Sequence, residues 1–102
     1  MAQKITDRNF SQMTAKGVCF VKLASPFLGP SKNYQTLFNN FAIDNSNIKC
    51  FDMDATQEIG TLKDFNIKYV PTLLVLVNGK EVNRKTGILN WQELKGLVPS
   101  ET

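Results

Sequence analysis

The stretch Cys19-Phe20-Val21-Lys22-Leu23-Ala24-Ser25-Pro26-Phe27-Leu28-Gly29-Pro30-Ser31-Lys32 decides the fold. Its first half is an apolar run of the kind that forms a buried central strand. Proline and glycine then mark a tight loop. Beyond the loop, apolar residues recur at helical spacing at Tyr34, Leu37, Phe38 and Phe41. We therefore predict a buried strand, a tight loop and a helix that covers the sheet.

The remainder of the chain alternates helix-like and strand-like segments. Asn78-Gly79 between two strand-like runs is typical of a two-residue hairpin, and Asn90 with Glu93 resembles a capping box. Strands that alternate with helices favour a parallel centre, and the closing hairpin adds an antiparallel edge. The predicted elements are a helix capped by Thr6 or Asp7 and ended by Gly17, a strand over 18–24, a helix through 34–41, a strand over 48–53, a helix over 59–65, strands over 72–77 and 81–85, and a helix opened by Asn90. This order predicts an α/β fold in one domain over residues 1–102.

Composition excludes several classes of function. The 102 residues suit one core, and the net charge of +3 comes from scattered side chains without a basic run, so no nucleic-acid interface is predicted. The absence of histidine excludes a Ser-His-Asp triad and leaves too few good zinc ligands, so we predict no metal and no cofactor. The longest apolar run, residues 70–77, is too short to span a bilayer. No apolar N-terminal stretch follows a basic start, so we expect a cytoplasmic protein without a membrane partner.

Three motifs resemble the thioredoxin-like superfamily, which includes thioredoxins and protein disulfide isomerase domains. They are the strand and loop quoted above, with its aromatic, glycine, proline and lysine, then Asp54-Ala55-Thr56, then Tyr69-Val70-Pro71-Thr72. The resemblance implies a thioredoxin fold, with a central mixed sheet of four to five strands flanked by four helices. It also implies a cis-proline at Pro71, although few X–Pro bonds in folded proteins are cis.

The loop departs from the family at both sulfur positions, which hold Leu28 and Ser31. Dithiol exchange needs one thiolate to attack and a second thiol to resolve the mixed disulfide. Leucine and serine do neither, so we predict a redox-inactive chain that is not an enzyme, with no catalytic residue. Ser31 is interpreted as a residue of the first helical turn that hydrogen-bonds a free N–H group.

The resemblance implies a peptide-binding edge that does not need sulfur. In the family, the backbone before the cis-proline turns outward and holds extended substrate chains through main-chain hydrogen bonds. The predicted role is therefore a protein-binding or accessory module, a monomer or weak homodimer, whose partner is a protein or extended peptide. Apolar residues at the loop tip either form part of this surface or have drifted after the cysteines were lost. The predicted surface comprises Phe27, Leu28, Gly29, Val70, Pro71 and Gly87.

A buried ion pair is predicted beneath the loop. Alignment with the family places Lys22 where thioredoxins carry a buried acid and Asp52 where the family often has a lysine. Because buried charges are tolerated when they are paired and hydrogen-bonded, we predict a contact between Lys22 and Asp52 with a structural role.

The two cysteines leave an alternative function open. Alternation along the strands places Cys19 and Cys50 on opposite faces of the sheet, as buried small side chains rather than a disulfide. The alternative is residual thiol-based oxidoreductase activity through Cys50 or Cys19. Two further alternatives are nucleic-acid association driven by the basic charge and self-association through the apolar loop tip.

Overall fold

A computed structural model of the chain describes residues 2–26 and 31–100. Within those residues the chain forms five strands and four helices. In chain order they are β1 (Gln3–Lys4), α1 (Phe10–Met13), β2 (Val18–Ala24), α2 (Ser31–Asp44), β3 (Lys49–Asp54), α3 (Ile59–Asp64), β4 (Thr72–Val77), β5 (Lys80–Thr86) and α4 (Trp91–Gly96).

The strands form one mixed sheet in the order β1-β3-β2-β4-β5. The central strand β2 pairs with β3 in parallel and with β4 in antiparallel orientation. The β4–β5 hairpin turns at Asn78 and Gly79, both of which have positive φ, as a type I′ turn requires. The predicted α/β class, with a mixed sheet of four to five strands and four helices, is confirmed.

Two details differ from the sequence-based prediction at the start of the chain. Strand β1, only two exposed residues long, was not predicted, because such a segment has no measurable periodicity. It pairs in parallel with β3 at the edge of the sheet. Helix α1 begins at Phe10, so neither Thr6 nor Asp7 is its cap residue as predicted. The Asp7 carboxylate instead caps α3.

Apolar side chains fill the two faces of the sheet separately. One core lies under α2 and α4 and includes Phe20, Phe38, Phe41, Cys50, Leu73 and Leu94. The other lies under α1 and α3 and includes Ile5, Phe10, Cys19, Val21, Met53 and Leu74. Consecutive β2 residues thus enter opposite cores, as the alternation of side chains along a buried strand dictates.

Helix α3 receives its cap from the N-terminal segment. The Asp7 carboxylate accepts hydrogen bonds from the Gly60 N–H at 2.9 Å and from the Thr61 N–H at 2.8 Å and hydroxyl at 2.6 Å. Desolvation opposes ionisation of this carboxyl, but the bonds from Thr61 and Gly60 outweigh it and lower the pKa of Asp7. A Cβ atom at Gly60 would lie 2.9 Å from Asp7 Oδ2, so glycine permits the close approach.

We expect Asp7→Ala to lower the free energy of unfolding by about 1–2 kcal/mol at neutral pH, because it removes the cap of α3. The lowered pKa means that this contribution is present above the unfolded-state pKa near 3.9 and is lost as the pH falls through the folded-state value. Urea denaturation at several pH values measures both effects.

Gly60→Ala tests the same contact from the other side. The added methyl group meets the Asp7 carboxylate in the native chain, so the substitution is expected to destabilise it. In the Asp7→Ala background the clash is gone and alanine, the better helix former, is expected to stabilise α3. Equal effects of Gly60→Ala in both backgrounds would contradict the long-range cap.

Candidate functional site

A buried polar cluster lies between β2, β3 and α2. The Lys22 ammonium lies 3.2 Å from Asp52 Oδ1, and its side chain is 3% exposed while that of Asp52 is 19% exposed. Lys22 Nζ donates to Gln35 Oε1 at 2.6 Å, and Gln35 Nε2 donates to Asp52 Oδ2 at 2.7 Å. The structure therefore brings the two residues of the predicted ion pair together, with Gln35 bridging them.

The cluster places a cation among aromatic rings. Lys22 Nζ lies 4.9 Å from the ring centroid of Tyr34 and 5.4 Å from that of Phe38. Desolvation lowers the pKa of Lys22, although the nearby Asp52 carboxylate favours the charged form. Both rings present their faces to the ammonium, an arrangement that offsets part of the cost of burial.

Sequence reasoning missed Gln35. The amide completes the triangle with Lys22 and Asp52, and its Nε2 also lies 3.1 Å from Asn39 Oδ1, one helical turn further on. The available signal was a polar residue, Gln35, directly after the buried Tyr34 on a helix that covers the sheet. A glutamine both donates and accepts, so it can satisfy an ammonium and a carboxylate at once.

The second part of the site is the junction between Val70 and strand β4. The Val70–Pro71 peptide bond is cis. The Gly87 N–H donates to the Pro71 carbonyl at 2.8 Å, which ties the end of the β4–β5 hairpin to this junction. Tyr69, Val70 and Ile88 are exposed, at 71%, 37% and 51% respectively, so apolar side chains surround the junction on the surface.

Only some residues of the predicted binding surface fall within the described part of the chain. The structure brings Val70, Pro71 and Gly87 together at one end of the sheet. Phe27, Leu28 and Gly29 lie outside the described residues, and Ser31 is the first residue of α2. The involvement of the loop tip stays a prediction.

The two cysteines are free thiols in separate cores. Cys19 is fully buried on the α1 and α3 face, and Cys50 is 6% exposed on the α2 and α4 face. Burial raises the pKa of Cys19, and it raises the pKa of Cys50 to about 12. A thiol with a raised pKa is a weak nucleophile at neutral pH because little thiolate is present.

The described residues contain neither a helix suited to span a membrane nor a cluster of metal-ligating side chains. None of the helices over residues 2–26 and 31–100 is long and apolar enough to cross a membrane. Across the same ranges, no cluster of three or more histidine, cysteine or acidic side chains is arranged to hold a metal ion.

Comparison with known proteins identifies the family. The Thioredoxin family model matches residues 1–99, so the chain belongs to the thioredoxin family. It is 32% identical to the thioredoxin of Bacillus subtilis strain 168, over 93% of this chain and 92% of that protein. Thioredoxins of Staphylococcus saprophyticus (27%, covering 93% and 92%) and Chlamydia trachomatis serovar D (22%, covering 96% of each chain) are also similar. The resemblance found in the sequence is confirmed.

These relatives correct the expectation that the chain is not an enzyme. That expectation rested on the missing loop cysteines at Leu28 and Ser31. The relatives carry the name thioredoxin, which denotes an oxidoreductase, and they align with nearly the whole chain. The altered loop alone is therefore no ground for excluding enzymatic activity.

We expect Lys22 and Asp52 to be energetically coupled. Lys22→Met should lower the free energy of unfolding by roughly 3 kcal/mol, the low end for a broken buried pair, because the Asp52 side chain keeps some solvent contact. A double-mutant cycle with Asp52→Asn should give a coupling of about 1–3 kcal/mol. Lys80→Met, at an exposed hairpin position, is the matched control and should have little effect.

The pH dependence of the same variants has a defined sign. The pKa of Lys22 is lower in the folded chain than in the unfolded chain. Between the folded-state pKa and the unfolded-state value of about 10.4, the unfolded chain therefore binds more protons than the folded chain. The stability difference between the native chain and Lys22→Met should therefore increase over that interval. A coupling energy near zero in the double-mutant cycle would show that the interaction between the Lys22 and Asp52 charges does not stabilise the fold.

Proposed function

We propose that this thioredoxin-family chain binds a segment of extended polypeptide along the main chain of Val70. The observation that carries the proposal is an unpaired stretch of backbone. Among the described residues, neither the N–H nor the C=O of Val70 forms a hydrogen bond, while the neighbouring Pro71 carbonyl is occupied by Gly87. An unpaired donor and acceptor on a residue that is 37% exposed offer a short edge to which another strand can add.

The surroundings of Val70 suit a peptide. Tyr69 and Ile88 flank the junction as exposed apolar side chains and can cover alternate side chains of a bound strand. Main-chain hydrogen bonds would supply affinity that depends little on sequence, and the apolar flanks would favour ligands with apolar residues on one face. The partner is thus a protein segment or peptide in extended conformation.

A pair of N-methylated peptides tests main-chain recognition directly. The probe is an acetylated, amidated hexapeptide of alternating valine and threonine, titrated into the isotopically labelled protein by NMR. Successive N–H groups of an extended chain point to opposite sides. Methylation of the N–H groups on the side that faces Val70 should weaken binding by about tenfold or more, and methylation of those on the other side should not. Equal effects of both sets would contradict strand addition.

Substitutions in the protein locate the site. Val70→Asp places a carboxylate that must be desolvated beside the bound strand, and it should weaken binding of the unmodified probe by about tenfold. Val82→Asp is the matched control, since Val82 is 55% exposed on the outer strand β5, and it should bind normally. Binding that is lost in both variants, or in neither, would place the peptide elsewhere.

Family membership favours a second candidate function, thiol–disulfide exchange through Cys50. This thiol keeps 6% exposure whereas Cys19 has none. Its thiolate would attack a disulfide of the partner, forming a mixed disulfide and releasing the partner's other sulfur as a thiolate. The thiolate of a low-molecular-weight thiol would then attack the partner's sulfur in the mixed disulfide, forming a disulfide with the partner and releasing the Cys50 thiolate. With a pKa of about 12, only about one Cys50 in 10⁵ is ionised at neutral pH, so this exchange is expected to be slow.

Thiol labelling measures this reactivity. In Cys19→Ala protein, alkylation of Cys50 by iodoacetamide should accelerate about tenfold per pH unit above neutrality, because the thiolate fraction increases tenfold. Circular dichroism at each pH checks that the fold persists. A rate that is already high and pH-independent near neutrality would show a reactive thiol.

Catalysis is assayed separately, as disulfide reduction in the presence of glutathione. Activity that is retained in Cys19→Ala and lost in Cys50→Ala would support the second candidate. Activity that survives both substitutions together would contradict it, because no other sulfur nucleophile of the cysteine type exists in the chain.

A further inference from the structure

Two hydrogen bonds fix the carbonyl groups on either side of Val70. The Thr72 hydroxyl donates to the Tyr69 carbonyl at 2.6 Å, and the Gly87 N–H donates to the Pro71 carbonyl at 2.8 Å. The chain therefore cannot rotate freely at either flanking peptide group. Val70 is held between two anchored carbonyls while its own main-chain groups stay unpaired among the described residues.

A second hydroxyl orients the first. Thr86 Oγ1 lies 3.3 Å from Thr72 Oγ1. A hydroxyl has one hydrogen, and that of Thr72 is used on the Tyr69 carbonyl, which can only accept. Thr86 must therefore be the donor to Thr72. The two hydroxyls form a directed chain from Thr86 through Thr72 to Tyr69.

The position of Thr72 in the sheet indicates that its hydroxyl is not required by the core. Thr72 is 2% exposed and begins β4, whose next four residues are apolar and fully buried. A valine has nearly the same shape and would avoid the cost of burying a hydroxyl. The register pairs Thr72 with Thr86 at the end of the β4–β5 ladder, next to the Pro71 contact with Gly87.

We infer that Thr72 and Thr86 are positioning residues for peptide recognition: their hydroxyls hold the Tyr69–Val70 segment so that the Val70 main chain faces a bound strand. This inference rests on the proposed function and deepens it. Without the Thr72 hydroxyl, the Tyr69 carbonyl loses its partner and the segment adopts orientations in which Val70 does not meet the ligand. Preorganisation of this kind raises affinity by lowering the cost of ordering on binding.

The test compares three substitutions by titration with the valine–threonine hexapeptide. Thr72→Val should weaken binding roughly three- to tenfold, the equivalent of one lost hydrogen bond. Thr72→Ser keeps the hydroxyl and should bind within about twofold of the native chain. Thr36→Val is the control, because it removes a hydroxyl that bonds the Lys32 carbonyl in α2, far along the chain from the junction, and it should bind normally.

A second readout separates positioning from general destabilisation. All variants are measured well below their thermal midpoints, and backbone order parameters of Tyr69 and Val70 are measured by NMR relaxation. Positioning predicts lower order parameters at these residues in Thr72→Val, with restoration in Thr72→Ser. If Thr72→Val does not fold, Thr86→Val carries the test with an expected loss of about twofold, since it removes only the donor to Thr72.

The outcomes are distinguishable. The inference is supported if the native chain binds the peptide, Thr72→Val binds it more weakly, and Thr72→Ser binds it as the native chain does. If the native chain binds the peptide and both Thr72→Val and Thr86→Val bind it with the same affinity, the inference is overturned and the proposed function stands. A native chain that does not bind the peptide removes the proposed function and the positioning role with it.

Discussion

The site depends on how the chain is held as it enters strand β4. The carbonyls of Tyr69 and Pro71 are both occupied, one by a side-chain hydroxyl and the other by the Gly87 N–H, and Val70 between them has no internal partner among the described residues. Strand β4 itself is fixed by pairing with β2 on one side and β5 on the other. Val70, which has no main-chain partner among the described residues, thus directly precedes a strand that is paired on both sides, and this pairing would hold it in place for strand addition.

The proposed peptide site differs from the two thiols in its exposure to solvent. Val70 is 37% exposed, and recognition through its main chain would need no sulfur. Both thiols are buried in the two cores, where desolvation keeps them protonated. Lys22, Gln35 and Asp52 form a third unit that ties β2, β3 and α2 together. Membership of the thioredoxin family leaves oxidoreductase activity open, and any such activity must draw on thiols far less ionised than a typical reactive cysteine.

Local patterns were sufficient to predict most of the fold, and long-range contacts were not. The helix and strand order followed from periodicity, and the Asn90–Glu93 capping box was found from its spacing. Asp7 looked like a local cap, but its partners are more than 50 residues away. In the site, Lys22 and Asp52 were found through the resemblance, whereas Gln35 and the Thr72–Thr86 pair were not, because polar residues beside apolar runs carry no signal of which distant group they bond.

Amide hydrogen exchange at Val70, followed by NMR in the free protein and with saturating hexapeptide, shows whether a bound strand pairs with the Val70 main chain. We expect rapid exchange at Val70 in the free chain, slow exchange at Gly87, and at least about tenfold slowing at Val70 when peptide is bound. A Val70 amide that is already protected in the free protein, or whose exchange rate does not change with peptide, would contradict strand addition at Val70.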